Sequence, residues 1–137
     1  WHSPAKRGVY MSLILRPQIA PTLAPGLSLI AALSIAKTLR EYPGIKATIK
    51  WPNDVLFNGR KLAGVLTELA AEIDRIKYVI MGIGINANHD ESDFPADLRD
   101  KAASLKIVSK SPVDRIKLTK LLLTFLEEHY QEYLSRV

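Results

Sequence analysis

The stretch "KWPNDVLFNGRKLAG", Lys50 to Gly64, decides how the middle of the chain folds. Asn58-Gly59 is the preferred dipeptide for a type I′ turn, whose two central residues both need positive φ, and β-prone arms flank it. Residues 54–66 therefore read as a β-hairpin. Pro52 cannot donate a ladder hydrogen bond and ends the short strand expected over 46–51, so Asn53 and Asp54 fall at a strand terminus. The turn folds Arg60 and Lys61 back toward Asp54, and Lys50, Arg60 and Lys61 are expected to converge on Asn53 and Asp54. A lysine after a tight turn is ordinarily just solvated. Cations gathered around a metal-capable carboxylate are, however, the mixture that phosphate chemistry uses.

Working outward, "GVYMSLILR" (Gly8–Arg16) alternates β-friendly residues and reads as a strand buried mostly on both faces. Leu29, Ala32, Leu33, Ala36 and Leu39 recur at helical spacing until Pro43-Gly44, with Ile30, Ala31 and Ile35 widening the apolar face. The second hairpin arm continues to about Glu72. Asp74-Arg75 then turns the chain into a strand over 77–86, completing a three-stranded meander. In that strand Tyr78, Ile80, Gly82, Gly84 and Asn86 share one face, and Val79, Met81, Ile83 and Ile85 the other. Glycines in a strand more often mark a bulge than a pocket, but a face stripped of side chains and ending in a carboxamide has room for a flat ligand. Trp51 is expected in the core, as most tryptophans in strand patterns are. Asp90–Asp100 reads as a solvated segment, and a short helical or irregular piece reaches Lys110. Ser111-Pro112 signals the start of a last helix carrying Leu118, Leu121, Leu122, Phe125, Leu126 and Tyr133.

Composition narrows the function. The 137 residues are 47% hydrophobic and 24% charged, the profile of one globular domain. There is no cysteine, which removes disulfides and thiolate metal sites and favours an intracellular setting. No apolar run approaches the ~20 residues of a membrane-spanning helix, so a soluble, cytoplasmic protein with no membrane partner is expected. The net charge of +5 is uneven: residues 1–86 carry 11 Lys or Arg against 5 Asp or Glu, and residues 87–137 carry 8 against 9. No basic run or aromatic interleaving suits nucleic acid, and a phosphate-bearing small molecule fits better. His2, His89 and His129 form no triad or metal set in the sequence and receive no role. The phosphate-binding fingerprints GxGxxG and GK[ST] are both absent.

"KWPND" at Lys50–Asp54, "GRKLAGVLTE" at Gly59–Glu68 and "GIGIN" at Gly82–Asn86, in that order and spacing, resemble the catalytic domain of biotin protein ligases. "WHSP" at Trp1–Pro4 is similar to the family's segment after its Arg-Gly-rich loop. The resemblance implies an α+β fold: a mixed, mainly antiparallel sheet with helices packed on one side, like the class II aminoacyl-tRNA synthetases. It implies ATP-dependent ligation of biotin, through biotinyl-5′-AMP and with Mg²⁺, to a lysine of the biotin carboxyl carrier protein of acetyl-CoA carboxylase. By the same resemblance Lys61 contacts the biotin carboxylate and adjoining phosphate, and Gly64 and Leu66 line the biotin pocket. Gly82, Gly84 and Ile85 form its opposite wall. Asn86 contacts adenine, Asn53 serves the phosphate or Mg²⁺, Asp54 orients the acceptor lysine, and Trp1 closes over the adenylate.

The alternatives are a lipoate-ligase-like acyl-adenylate transferase and the core of an adenylate-sensing repressor. The latter would be a possible homodimer and would engage DNA only with a helix-turn-helix upstream. The family's "GRGRxGR" loop and the Ser-Thr pair and glutamine that meet the ureido ring are missing. Residues 1–137 are therefore expected to be a partial catalytic domain without its N-terminal part or small C-terminal β-barrel, binding biotin weakly and inactive by itself.

Overall fold

The computed structural model describes residues 2–137. Five strands, β1 (Val9–Leu15), β2 (Thr48–Lys50), β3 (Asp54–Phe57), β4 (Arg60–Ala71) and β5 (Ile76–Ile85), form one sheet in the order β1-β5-β4-β3-β2. All four ladders are antiparallel, and a parallel element enters only as an isolated bridge between Lys61 and Ala102. Three helices complete the α+β fold: α1 (Pro25–Glu41), α2 (Leu105–Ser109) and α3 (Arg115–Arg136). The hairpin forms where the Asn-Gly pair puts it, with φ of 50° at Asn58 and 78° at Gly59.

Strand parity divides the sheet into two unlike faces. Val9, Val55, Ala63, Val65, Val79, Met81, Ile83 and Ile85 are buried and join one core cluster with Leu27, Ile35 and Leu39 of α1 and Leu118, Leu122 and Leu126 of α3. The polar groups inside this layer are paired. Ser28 Oγ meets Thr67 Oγ1 at 2.8 Å, joining α1 to β4. Ser34 Oγ donates to the Ile30 carbonyl at 2.7 Å and meets His129 Nδ1 at 2.8 Å, joining α1 to α3. The helical stretch Pro21–Glu41 contains an 18-residue window with a mean hydropathy of 1.5, enough by composition to cross a membrane. In this fold the burial of its apolar face against sheet and helix accounts for that composition.

Several sequence expectations change. β1 is covered on one face only, leaving Tyr10, Ser12 and Ile14 exposed, because the helices lie on one side of the sheet. Trp51 is 75% exposed rather than core: β2 ends at Lys50, and the chain leaves the sheet in a turn. The last helix begins after Ser111-Pro112, where the Asp114 carboxylate accepts from the Ile116 and Lys117 amides at 3.0 and 3.1 Å. An aspartate at the N-cap satisfies donors that a proline upstream cannot.

The one-sided packing of α3 predicts opposite costs at neighbouring positions. Leu122 is fully buried, and Leu122→Ala is expected to destabilise by about 2–5 kcal/mol. Leu123 is 41% exposed, and Leu123→Ala is expected to cost less than about 0.5 kcal/mol. Urea unfolding of both variants checks the pair.

Candidate active site

The uncovered face of the sheet carries a cavity of about 590 Å³, whose lining includes Tyr10, Ser12, Asn53, Asp54, Lys61, Gly64, Leu66, Gly82 and Gly84. Its floor follows from register. Tyr10 of β1 pairs with Gly84 of β5, Gly84 with Gly64 of β4, Gly64 with Asp54 of β3, and Asp54 with Lys50 of β2. One row thus crosses the whole sheet with a tyrosine toward one end, two glycines in the middle and a carboxylate beyond them. The next row sets Ser12, Gly82 and Leu66 side by side. Gly82 has no positive φ, and a Cβ added there would meet only the Leu66 carbonyl oxygen at 3.5 Å. This glycine serves the space above it rather than a strained backbone.

Lys61 reaches the cavity through a break in parity. Between Val55↔Ala63 and Leu56↔Lys61 the register shifts, leaving Leu62 as an extra residue on β4. Lys61 and Gly64 are three residues apart and would point to opposite faces of a regular strand. The bulge puts them on one face, because their partners Leu56 and Asp54 are two apart. The result is an ion pair of 3.0 Å between Lys61 Nζ and Asp54 Oδ1, with side chains 34% and 28% exposed. Asn53 is held beside it by a Val65 N–H donating to its carbonyl at 3.0 Å and by its own Nδ2 donating to the Val65 carbonyl at 3.0 Å.

The expected convergence of Lys50, Arg60 and Lys61 is met only in part. Lys50 lies opposite Asp54 in the ladder, but Arg60 turns away. Its guanidinium donates to the carbonyls of Ala102 and Arg99 at 3.0 and 2.9 Å and pairs with Glu91 at 3.1 Å. Those bonds tie the hairpin to the 91–102 segment, as do the Lys61 N–H to the Lys101 carbonyl at 2.8 Å and the Ala103 N–H to the Lys61 carbonyl at 3.0 Å.

A second cavity of about 220 Å³ adjoins the first through Lys61 and is lined by His2, Asn86, Phe94, Leu98, Lys101 and Ala102. Asn86 is nearly buried there, and its Nδ2 donates to the Lys61 carbonyl at 3.3 Å. Its carboxamide is therefore already partly committed through Nδ2. Ile85, expected on the glycine wall, is fully buried on the opposite, helix-packed face, as strand parity requires. Trp1 lies outside the described residues.

Tyr10, Ser12, Phe94 and Leu98 were not singled out in the sequence. The first two follow from pairing with Gly84 and Gly82, which the sequence of β1 alone does not reveal. Burial pushes the Tyr10 phenol up, with Arg115 opposing and Asp93 reinforcing the shift. Burial likewise lowers the His89 imidazole below its usual range, against the pull of Asp93 and with help from His2 and Arg7. Both side chains are held neutral. Asp90 is held low, chiefly by its hydrogen bond with Lys106 at 2.7 Å. Among the described residues no group of three or more His, Cys, Asp or Glu side chains could hold a metal. Asn53 and Asp54 offer one amide oxygen and one carboxylate at the main cavity.

A family model described as the biotin/lipoate A/B protein ligase family matches residues 1–86. The chain is 45% identical over 135 residues to the bifunctional ligase/repressor BirA of Bacillus subtilis, covering 98% of this chain and 42% of that protein. It is 33% identical over 131 residues to the biotin--[acetyl-CoA-carboxylase] ligase of Mycobacterium tuberculosis, covering 93% and 46%. The biotin protein ligase of Aquifex aeolicus, solved with biotin and ATP, superposes with a TM-score of 0.79 at 30% identity over 93% of this chain and 52% of that one. The chain thus spans less than half the length of the two sequence relatives. Matched over most of its length in both sequence and fold, the chain belongs to the biotin/lipoate protein ligase family.

Proposed function

We propose that the protein ligates biotin to a lysine of a biotin carboxyl carrier domain in two steps, the first of which consumes ATP. The observation that carries the proposal is the glycine-floored cavity ending at the Lys61–Asp54 pair, with a second cavity opening beyond it. The floor formed by Gly64, Gly82 and Gly84 leaves room for the compact bicyclic ring of biotin, whose carboxylate tail then extends toward Lys61. In the first step a biotin carboxylate oxygen attacks the α-phosphorus of ATP and the bond to the β-phosphate breaks, giving biotinyl-5′-AMP and pyrophosphate. Negative charge builds on oxygens beside the Lys61 ammonium, which is positioned before reaction and so stabilises it without reorganisation. The adenine is assigned to the second cavity, where Asn86 Oδ1 accepts from the ring's amino group.

In the second step a carrier lysine, as the neutral amine, attacks the acyl carbonyl. AMP leaves and the amine loses a proton, which is assigned to Asp54, the carboxylate in the cavity lining. Mg²⁺ binds through one or two protein donors together with substrate phosphates, and Asn53 and Asp54 make a donor set of that size. The metal, when bound, supplies neutralisation of phosphate charge.

The name of the Bacillus relative supports a second reading, in which the adenylate also governs DNA binding. Operator binding by the full-length protein with and without biotinyl-5′-AMP distinguishes the two. Lipoate is the competing acid within the family, and its failure to compete with biotin for pyrophosphate release is the expected result.

Two variants of the full-length protein test the ligase assignment. Lys61→Ala is expected to slow biotin-dependent pyrophosphate release about 100- to 1000-fold, as loss of a preorganised donor does, with little change in melting temperature. Lys61→Arg is also impaired, because a wide planar guanidinium does not replace a compact ammonium at the cavity wall. Unchanged pyrophosphate release by Lys61→Ala would return that lysine to an ordinary surface role.

Gly82→Val tests the floor. Valine is β-prone, and its Cβ at Gly82 makes only an ordinary contact with the Leu66 carbonyl oxygen at 3.5 Å, so stability is expected to stay within about 0.5 kcal/mol of the parent while biotin binding is lost. Calorimetric titration beside a thermal melt reads both. A variant that melts normally and binds biotin as the parent does refutes the assigned pocket.

A further inference from the structure

Three sets of contacts meet at His89, a residue that lines neither cavity. Its ring is fully buried and stacks on Phe94, with centroids 5.1 Å apart and planes 10° from parallel. Its Nε2 lies 3.0 Å from the Tyr10 hydroxyl. Its backbone is fixed as well. The Ser104 hydroxyl donates to the His89 carbonyl at 2.6 Å, and the neighbouring Asn88 carboxamide clasps Val113, accepting from its N–H at 2.8 Å and donating to its carbonyl at 2.9 Å.

The other ring nitrogen, Nδ1, is buried with no hydrogen-bond partner. An orphaned polar atom is destabilising in a core, so packing alone does not account for an imidazole here. The bond to Tyr10 does. With its proton on Nδ1, the neutral ring presents Nε2 as an acceptor to the phenol, and burial favours the neutral form of both partners.

Tyr10 stands in the floor row beside Gly84. Its ring leans back over Gly8, where an added Cβ would collide with the tyrosine Cζ and Oη, and also with the Ile85 carbonyl oxygen. Gly8 thus makes room for a ring parked away from the floor. The Gly8 carbonyl is itself held by Arg115 Nη1 at 3.0 Å. Without a partner for its hydroxyl, the tyrosine can swing about χ1 toward Gly84 and occupy the space above it.

We propose that His89 is a positioning residue for the binding cavity: its Nε2 holds Tyr10 back over Gly8 and so keeps the glycine floor open for the ring of the acid substrate. The proposal rests on the ligase reading above, since it names what the floor receives. It predicts an effect on substrate affinity from a residue that the substrate never touches.

The test uses the full-length protein and four variants: His89→Leu, His89→Gln, Tyr10→Phe and the double variant His89→Leu/Tyr10→Phe. Biotin affinity is read by calorimetric titration and folding by thermal melt. His89→Leu is expected to weaken biotin about 5- to 10-fold, the scale of one hydrogen bond, with a melting temperature at or above the parent's because the orphaned nitrogen is gone. Tyr10→Phe weakens biotin to a similar extent, and the double variant is no weaker than either single one, because one interaction has been removed in all three. His89→Gln keeps an acceptor and restores most of the affinity.

Parent-like binding by His89→Leu, additive losses in the double variant, or no rescue by glutamine would each overturn the proposal. If His89→Leu does not fold, Tyr10→Phe decides, and parent-like affinity there overturns it equally. A parent protein that binds no biotin refutes the ligase reading and this inference together. A parent that binds while the variants bind alike refutes the inference alone.

Discussion

The extra residue in β4 is the constraint on which the site depends. Without Leu62 out of register, strand alternation sends Lys61 to the helix-packed face, where an ammonium among Val55, Ala63 and Val65 would meet a large desolvation cost. With it, Lys61 lies on the open face beside Asp54 while Leu62 is fully buried. The Asn-Gly turn fixes where β4 begins, the bulge fixes which way its first residues face, and the regular ladder with β5 carries that choice to Gly82 and Gly84. A site assembled on paired strands holds its geometry better than one on a loop. Here the floor, the cation and the carboxylate all belong to the sheet.

The Lys61–Asp54 pair is better understood as preorganisation than as stability. With both side chains about a third exposed, solvent screens the attraction, and such pairs contribute about 0–1 kcal/mol. What the pair supplies is location. The carboxylate keeps a flexible four-carbon stem aimed at the cavity until an anionic group arrives to share the ammonium. The glycines carry a related cost, since each weakens its strand in conformational terms. The opposite face offsets it: Val79, Met81, Ile83 and Ile85 alternate with Gly82 and Gly84 along β5 and are all buried. Period-two alternation lets one strand be core on one side and binding floor on the other.

Much of this was legible in the sequence because it is local. The hairpin needs only Asn58-Gly59, the two-faced character of β5 needs only its own alternation, and the helices announce themselves by spacing. The features that escaped are those that depend on distant partners. Nothing in "GRKLAG" marks the bulge, because a bulge is a property of two strands. Arg60 resembles a site cation until the carbonyls of Arg99 and Ala102, some forty residues away, claim it. Trp51 carries a core residue's composition at a position where the sheet has just ended. His89 adjoins a polar stretch that reads as solvated, yet nearby Phe94 and distant Tyr10 enclose it.

The acidic segment after β5 explains how an uneven charge distribution becomes a site. In sequence, Asp90–Asp100 looks like a solvated edge opposite a basic half. In the fold its carboxylates engage particular cations: Asp90 and Asp93 take Arg7 at 3.8 and 3.2 Å, Asp90 takes Lys106 at 2.7 Å, and Glu91 takes Arg60 at 3.1 Å. Each pair is exposed enough to be weak by itself. Together they hold one short segment from three sides, and the Arg60 bonds to backbone carbonyls make that attachment directional as well as electrostatic. The segment's own fold continues the effect, since Asp90 and Asp93 cap a single turn reciprocally and deliver Phe94 onto His89. Arg7 and Arg60 are thereby spent on structure, and the cation that faces the glycine floor is Lys61. The positive charge of residues 1–86 is thus divided by geometry, with the Arg7 and Arg60 guanidiniums paired to carboxylates of residues 90–93 and the Lys61 ammonium at the junction of the two cavities.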